Sequence, residues 1–537
     1  MKEIEEIIKR TNTYKQLLKD DKNNSLTIKV LLPPRKELGD YSAHVFFAEK
    51  RPDFKGFTFA KEMPNENNIY KKICKEVKID KNFGLFFKDV IFELPIFLNF
   101  FVKDEYLQNQ LPVVLKEKNK FGGLKLGKNK KINVEFISAN PTGPLTLGNG
   151  RGGFCGDVLA KVLEKAGYEV KREYYINDTG AQIKKLGHSV IGDSEAVYKG
   201  KYIDDLRKKI KGSNPEKVGE QSAKIILEKM IKPSVKKMGI KFDKWFSEKT
   251  LYKGSGVDKV IDKLTKRGFT YESEGAVWFK SKDLGDDKDR VLVRTDGIKT
   301  YFASDIAYLK NKFNRGFDKA VIFLGADHYG YVARLKAAAH ALGFNKDDID
   351  AIVMQLVRLF EKGKEVRMSK RTGIYVTIDE LINEVGLDVS RFFFLMISPN
   401  THLNFNLDLA KEKSEKNPVF KVQYAHARIS SIIKKSKNLK PETKNLKLLK
   451  EPSELELIKQ LIRFSEIVED IVKDYQVQRL PQYAMDLADS FHKFYEKCQV
   501  ISKDKELTKA RLSLIFATKV VLKNTLELMG VSAPEKM

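Results

Sequence analysis

The chain has 537 residues, 42% of them hydrophobic, which is enough for several packed cores; 99 Lys+Arg against 72 Asp+Glu leave a net charge of +27. That excess suits a polyanionic partner such as RNA, although Lys, Ile and Asn are so frequent throughout that an AT-rich genome accounts for part of it. Cys74, Cys155 and Cys498 lie far apart without CxxC spacing, so neither a zinc knuckle nor a disulfide framework is indicated; a reducing cytoplasm fits, and no apolar run approaches transmembrane length.

Met1 to Arg10 is charged and helical in pattern, unlike a signal sequence. The apolar stretch Asp89 to Val102 is broken by Glu93, Pro95 and Asn99. From Val134 the signals strengthen. Val134-Glu135-Phe136-Ile137 carries β-formers and is followed by a Pro/Gly/Asn-rich stretch, Ala139 to Gly150. Arg151 to Ala166 then has Phe154, Val158, Leu159, Val162 and Leu163 at helical spacing, and Gly167 stands where a helix end wants a left-handed residue. Val170 to Ile176 reads as the next strand. Strand, glycine-rich loop, helix and strand predict a right-handed crossover in a parallel sheet, with a phosphate site where the loop feeds the helix N-terminus.

Gly148, Gly150 and Gly153 also satisfy G-x-G-x-x-G, with Glu169 and Glu173 downstream, so a dinucleotide-binding enzyme is a formal alternative. The Asn140-Pro141-x-Gly143-Pro144 segment before those glycines is longer than the tight turn that fingerprint needs. Lys184 to Arg290 reads as a largely helical insertion. On a helix opening near Thr300, Tyr301, Asp305 and Tyr308 fall at i, i+4 and i+7, which is one face.

A second unit follows: a buried strand at Val321 to Leu324, then Gly325-Ala326-Asp327-His328, a helix from Tyr331 to Leu342, and an apolar run from Ala351 to Leu359. A polar turn leads to Arg367-Met368-Ser369-Lys370-Arg371-Thr372-Gly373. Taken alone, such a loop is usually solvated surface; after the second half of a doubly wound sheet, its cations and hydroxyl suit charge developing on a triphosphate. Thr377 to Glu380 fits a capping box opening a helix that Gly386 closes. Long amphipathic stretches at Glu454 to Val472 and Leu507 to Leu528 predict a helical bundle.

Along nearly its whole length the chain resembles bacterial-type arginyl-tRNA synthetases, a class I aminoacyl-tRNA synthetase family. The resemblance is carried by Val134 to Pro144, Glu173 to Ile183, Asp296-Gly297 with Thr300 to Tyr308, Gly325 to Tyr331, Arg367 to Arg371, Val422 to Arg428 and Val531 to Glu535, with Gly39-Asp40-Tyr41 and Pro95 to Phe101 nearer the N-terminus. It implies an α/β fold: a doubly wound parallel-sheet (Rossmann-like, class I synthetase) catalytic domain over 106–410, with the insertion around 184–290. An α+β N-terminal domain over 1–105 would bind the tRNA elbow, and an all-α C-terminal bundle over 411–537 the anticodon arm. ATP with Mg2+, L-arginine and tRNA(Arg) are the implied partners of a cytoplasmic monomer, with no membrane association and no metal site in the protein itself.

Residue by residue, the resemblance assigns arginine to Glu135, Asn140, Tyr301, Asp305 and Gln182. ATP falls to Gly148, Gly150, Asp327, His328, Met368 and Lys370, and the chemistry to Thr146, Asn149, Ser369 and Lys370. His328 stands equally well as a satisfied histidine beside a strand end. Gln423, Tyr424 and Arg428 are the tRNA candidates, since an aromatic can stack a base and Arg can bind phosphate; core packing is the competing reading of Tyr424. The chain departs from the family in one place. Where the first signature has a histidine at each end, this sequence reads Thr146-Leu147-Gly148-Asn149. Thr146 offers a hydroxyl and Asn149 an amide NH2 in their stead. Activation is expected to persist, and a catalytically weakened tRNA-binding paralogue is the alternative. A synthetase for a different amino acid is a further rival, which an acid at Asp305 disfavours for all but cationic substrates.

Overall fold

A computed structural model describes residues 2–21, 26–33, 36–50, 58–61, 66–94, 97–326, 330–366, 377–436 and 441–537. Asp327, His328 and the whole of Arg367 to Gly373, including Met368, Ser369 and Lys370, lie outside the described residues, as do Pro95 and Ile96. The chain forms two compact units: residues 1–118, 435–466 and 490–520, and residues 119–434, 467–489 and 521–537.

The first unit contains an antiparallel sheet in the order Leu26–Leu31, Tyr41–Lys50, Phe97–Val102, Phe87–Glu93, with Thr58–Lys61 on Tyr41–Lys50. Helices Lys2–Arg10, Asn12–Asp20 and Glu66–Lys78 belong to the same unit. The apolar run Asp89 to Val102 divides between Phe87–Glu93, at the edge of this sheet, and its neighbour Phe97–Val102, with Glu93 ending the first strand and Asn99 lying inside the second.

The second unit is built on five parallel strands. In chain order they are β1 (Lys131–Glu135), β2 (Glu169–Ile176), β3 (Lys244–Ser247), β4 (Lys319–Gly325) and β5 (Ile349–Met354); in space the order is β5-β4-β1-β2-β3. The helix α1 (Leu147–Lys165) joins β1 to β2, α2 (Ala181–Ile191) follows β2, α3 (Tyr301–Asn314) precedes β4, and α4 (Tyr331–Leu342) joins β4 to β5. Two more helices, α5 (Ile378–Val385) and α6 (Leu387–Leu395), follow the sheet. Buried branched and aromatic side chains fill the layer between sheet and helices, among them Ile306, Leu335 and Ile322. From β1 the chain winds one way to β2 and β3, then returns to the other side of β1 for β4. The winding reverses between β1 and β4, and a doubly wound sheet opens a crevice at the carboxyl ends of the strands at that point.

Three expectations need correction. The insertion around 184–290 is not simply helical: it carries β3, an edge strand of the main sheet, and an antiparallel sheet of Thr270–Ser273, Ala276–Phe279 and Arg290–Val293. The apolar run Ala351 to Leu359 divides between β5 and a second strand, Val357–Glu361, which pairs with Lys364–Val366 and Leu403–Asn406. Helix α1 starts at Leu147, ahead of the expected Arg151, so Gly148 and Gly150 are helical residues and not loop residues, like Gly153, which the expected helix already contained. Glycine costs about 1 kcal/mol in a helix interior, and close packing explains Gly150, where a Cβ would stand 2.5 Å from Ile378 Cδ1 and 2.8 Å from its Cγ1. The tight-turn dinucleotide fingerprint is therefore absent.

Candidate functional site

At the switch point lies a cavity of about 880 Å³, lined from both sides of the reversal by the end of β1, by Ile322 to Gly325 of β4, and by the face of α3 that carries Tyr301 and Asp305. Its entrance loop is held in an unusual backbone. Directly after Glu135 and Phe136, Ile137 has φ 66° and Ser138 φ 38°. A β-branched residue in that region is strained by roughly 1–2 kcal/mol, and the surroundings enforce it. Ser138 N–H donates to Phe136 O at 2.9 Å, Ser138 Oγ donates to Glu135 Oε1 at 3.1 Å and accepts from Tyr175 N–H at 3.0 Å, and Tyr174 OH donates to Ala139 O at 2.9 Å. The turn brings exposed Asn140 to the cavity mouth.

Thr146 and Asn149 have a role that the sequence reading missed: they form a reciprocal capping box on α1. Thr146 N–H and Thr146 Oγ both donate to Asn149 Oδ1, at 3.0 and 2.9 Å, and Thr146 Oγ accepts from Asn149 N–H at 3.5 Å. The Thr146 hydroxyl hydrogen is thus engaged. Asn149 Nδ2 has no partner among the described residues, and Asn149 lines the cavity. Gly148 is exposed one residue before it, and Gly150 is buried against Ile378. A second capping box, Thr377 with Glu380, opens α5 as predicted. The two caps meet: Thr146 and Thr377 form an antiparallel bridge, and Ile378 N–H donates to Leu145 O at 3.1 Å.

Helix α3 is preceded by Thr300 at its N-cap, and its one-sided stripe is realised. Tyr301 OH accepts from Ala181 N–H at 2.9 Å, and Tyr308 OH donates to Glu173 Oε1 at 2.5 Å. Asp305, half-buried, accepts from the Tyr331 hydroxyl; burial, with Glu135 adding to it, pushes its carboxyl up to about 7. A second acid of the cavity escaped the sequence reading. Glu248, 1% exposed, directly follows β3; burial and then the neighbouring Asp305 and Asp178 raise it to about 7 as well. Asn177, with its amide turned to satisfy both ends, donates to Glu248 Oε2 at 2.7 Å. Gln182 Oε1 accepts from Tyr198 OH at 2.5 Å, a bond that fixes Gln182 in the cavity wall.

The buried acids of this unit divide into two sets. Glu135 is met by Lys312 Nζ at 2.6 Å, Glu173 by Arg315 at 2.5 and 2.8 Å, and Asp157 by Arg391 at 2.9 Å and Lys161 at 2.8 Å. Buried Glu248 and half-buried Asp305 have no ion-pair partner among the described residues; nearby Asp178, half-buried, accepts instead from Ser247 Oγ at 2.6 Å and Lys249 N–H at 3.2 Å. A buried carboxylate without a cation is costly unless one arrives from outside. Among the described residues, no group of three His, Cys, Asp or Glu is disposed to hold a metal, and no helix is long and apolar enough to cross a membrane.

The tRNA candidates lie on helix Pro418–Lys435. Gln423 Nε2 donates to Asp388 Oδ2 at 2.8 Å and to Ser532 O and Oγ at 3.0 and 3.1 Å, so its amide is committed inside the fold. Tyr424 is half-buried and lies parallel to Phe420, with ring centroids 6.2 Å apart, and Arg428 is half-buried.

A doubly wound sheet whose first strand turns through such a loop into a capped helix, with a cavity at the switch point, has the architecture of class I aminoacyl-tRNA synthetases. Residues 110–214 and 193–394 match the family described as tRNA synthetases class I (R), catalytic domain, and residues 422–537 match the DALR anticodon binding domain. An arginine–tRNA ligase of Carboxydothermus hydrogenoformans is 45% identical over 82% of this chain and 84% of its own length; that of Heliobacterium modesticaldum is 40% identical over 94% and 93%. The fold is shared with the arginyl-tRNA synthetase of Thermus thermophilus, at a TM-score of 0.76 and 21% identity over 100% of both chains. The chain belongs to the arginyl-tRNA synthetase family.

Proposed function

We propose that the switch-point cavity is where this chain, in its ATP-dependent attachment of arginine to tRNA(Arg), binds the amino acid, with the guanidinium held by Asp305 and Glu248. The observation that carries the reading is the pair of carboxylates lining one cavity without a cation of their own. A guanidinium offers five N–H donors in a plane and can bridge two carboxylates, which a point-like ammonium does less well. Tyr301 lies along the stem, and Asn140 and the amide of Gln182 orient the backbone end. Glu135 supports the loop through Ser138.

The arginine carboxylate attacks the α-phosphorus of ATP in line; an O–P bond forms, the bond to the bridging oxygen breaks, and pyrophosphate leaves. The adenylate then passes its arginyl group to the terminal ribose of tRNA. No side chain acts as nucleophile, so positioning and charge stabilisation do the catalysis. The N-terminus of α1, with its backbone N–H groups and the Asn149 amide, faces developing negative charge on the triphosphate. The Thr146 hydroxyl acts by setting the cap. Gly148 lets the triphosphate approach that helix end, while Gly150 admits Ile378 beneath it. Lys370, Ser369 and Met368, with Asp327 and His328, complete the ATP side in this reading. Mg2+ would enter bound to the triphosphate and add positive charge against its oxygens.

For tRNA, the match of 422–537 to an anticodon-binding family supports keeping the bundle as the anticodon domain, with the divisions near 105 and 410 as the functional ones. There Tyr424 and Arg428 are offered to the nucleic acid, and Gln423 holds the helix that presents them. No finding favours the weakened paralogue. The test is charging of tRNA from the same source with labelled arginine or lysine, ATP and magnesium. Arginine alone should be attached; equal use of lysine, or tRNA binding with no charging, would overturn the reading.

A further inference from the structure

The stripe of α3 that faces the cavity does not end at Tyr308. Lys312 continues it at the spacing of Tyr301, Asp305 and Tyr308, and it is 1% exposed. Its ammonium lies 2.6 Å from Glu135 Oε2, 2.5 Å from Asn133 Oδ1, 3.7 Å from Glu173 Oε1 and 4.4 Å from the centre of the Tyr308 ring. Two oxygen acceptors, a second carboxylate nearby and an aromatic face make a complete setting for a primary ammonium, which has three donors and no plane to match. Glu135 and Lys312 both line the cavity. Of its three lining carboxylates, Glu135, Glu248 and Asp305, one is therefore already occupied, and by the group that ends a lysine side chain.

We propose that Lys312 is a specificity-determining residue: it fills an ammonium subsite inside the amino-acid cavity and so denies that subsite to substrates bearing a primary ammonium, such as lysine or ornithine. The proposal rests on the reading of this cavity as the arginine site. An incoming lysine then meets only Asp305 and Glu248, whose arrangement favours a planar, five-donor cation. An occupied subsite lowers the affinity for the competitor more than it raises that for arginine. It also differs from a structural salt bridge, whose loss would weaken both substrates alike.

The experiment compares Lys312→Met, Lys312→Gln and Lys312→Arg with the parent chain in charging assays, reading kcat/KM for arginine, lysine and ornithine. Lys312→Met and Lys312→Gln should lower the arginine-to-lysine ratio by about tenfold or more, since a vacated Glu135 accepts the competitor's ammonium; Lys312→Arg, which keeps a resident cation, should preserve most of the ratio. A parallel fall for all substrates with an unchanged ratio overturns the proposal, as does failure of both neutral variants to fold, which makes the lysine purely structural. Asp305→Asn separates the two levels. If that change leaves arginine charging intact, the cavity is not the arginine site; if it cripples charging while the Lys312 variants keep the ratio, only the Lys312 proposal falls.

Discussion

Two groups of buried acids within one unit behave in opposite ways. Beneath the cavity, Glu173 has the Arg315 guanidinium in bidentate contact and the Tyr308 hydroxyl beside it, and its carboxyl stays below the usual range despite burial, because those partners outweigh desolvation. At the cavity wall, Asp305 and Glu248 rise to about 7, because burial meets no cation. The contrast separates acids that hold the fold together from acids that await a ligand, and it does so without reference to position in the sequence.

The sharpest break in that comparison is Asp305→Asn. Removing one partner of a desolvated charge pair costs about 2–5 kcal/mol, so kcat/KM for arginine should fall by roughly 10² to 10³ while the melting temperature holds or rises; a lower melting temperature with unchanged kinetics would place Asp305 with the structural acids. Glu173→Gln should do the reverse. Breaking a buried pair destabilises by about 3 kcal/mol, so the denaturant midpoint should drop while KM for ATP stays near that of the parent, and a large kinetic effect in a stably folded variant would erase the distinction.

The pH dependence is the smallest effect and tests the cavity acids alone. Asp305 and Glu248 have folded values raised above their ordinary 3.8 and 4.5, so the empty native state holds protons that the unfolded chain releases. Their contribution to stability is favourable at low pH and is lost as pH rises toward about 7. On the proposed binding of arginine to the ionised pair, its KM should fall as pH rises through about 7, and the rise in melting temperature on adding arginine should be larger at pH 8 than at pH 6. A pH-independent arginine shift would mean that neither group titrates in this range.

Much of the fold was legible because local rules agree with the global one. Helix α4 runs over the predicted Tyr331 to Leu342, Gly167 takes φ 88°, and the Thr377–Glu380 box is formed. The glycines of the first signature misled because their use is tertiary: Gly150 is small for Ile378, and that neighbour is invisible in a local window. In the site, helical spacing puts Asp305 and Tyr301 on one face, but only the family resemblance marks them as pocket residues. Glu248 could not, because it follows a four-residue edge strand in a stretch whose pattern reads as helical; the aromatic pair Trp245-Phe246 was the available sign of a strand. Glu135 was legible as a cavity acid, but its pairing with Lys312 depends on how α3 packs on β1. Thr146 and Asn149 read in the sequence as substitute donors for the histidines; the capping box engages the Thr146 hydroxyl and leaves the Asn149 amide NH2 as the donor beside the cavity.

That Thr146 should meet Thr377 has a consequence for how the protein comes into being. The contact joins segments from opposite halves of the sheet, so the strand and helix that carry the first signature cannot complete their surroundings until the second half has been synthesised and docked. Contacts of such long sequence separation form late and slow folding. A growing chain that has emerged only as far as β4 already contains Glu135, Glu248 and Asp305, yet it lacks the partner that closes the first-signature end of α1.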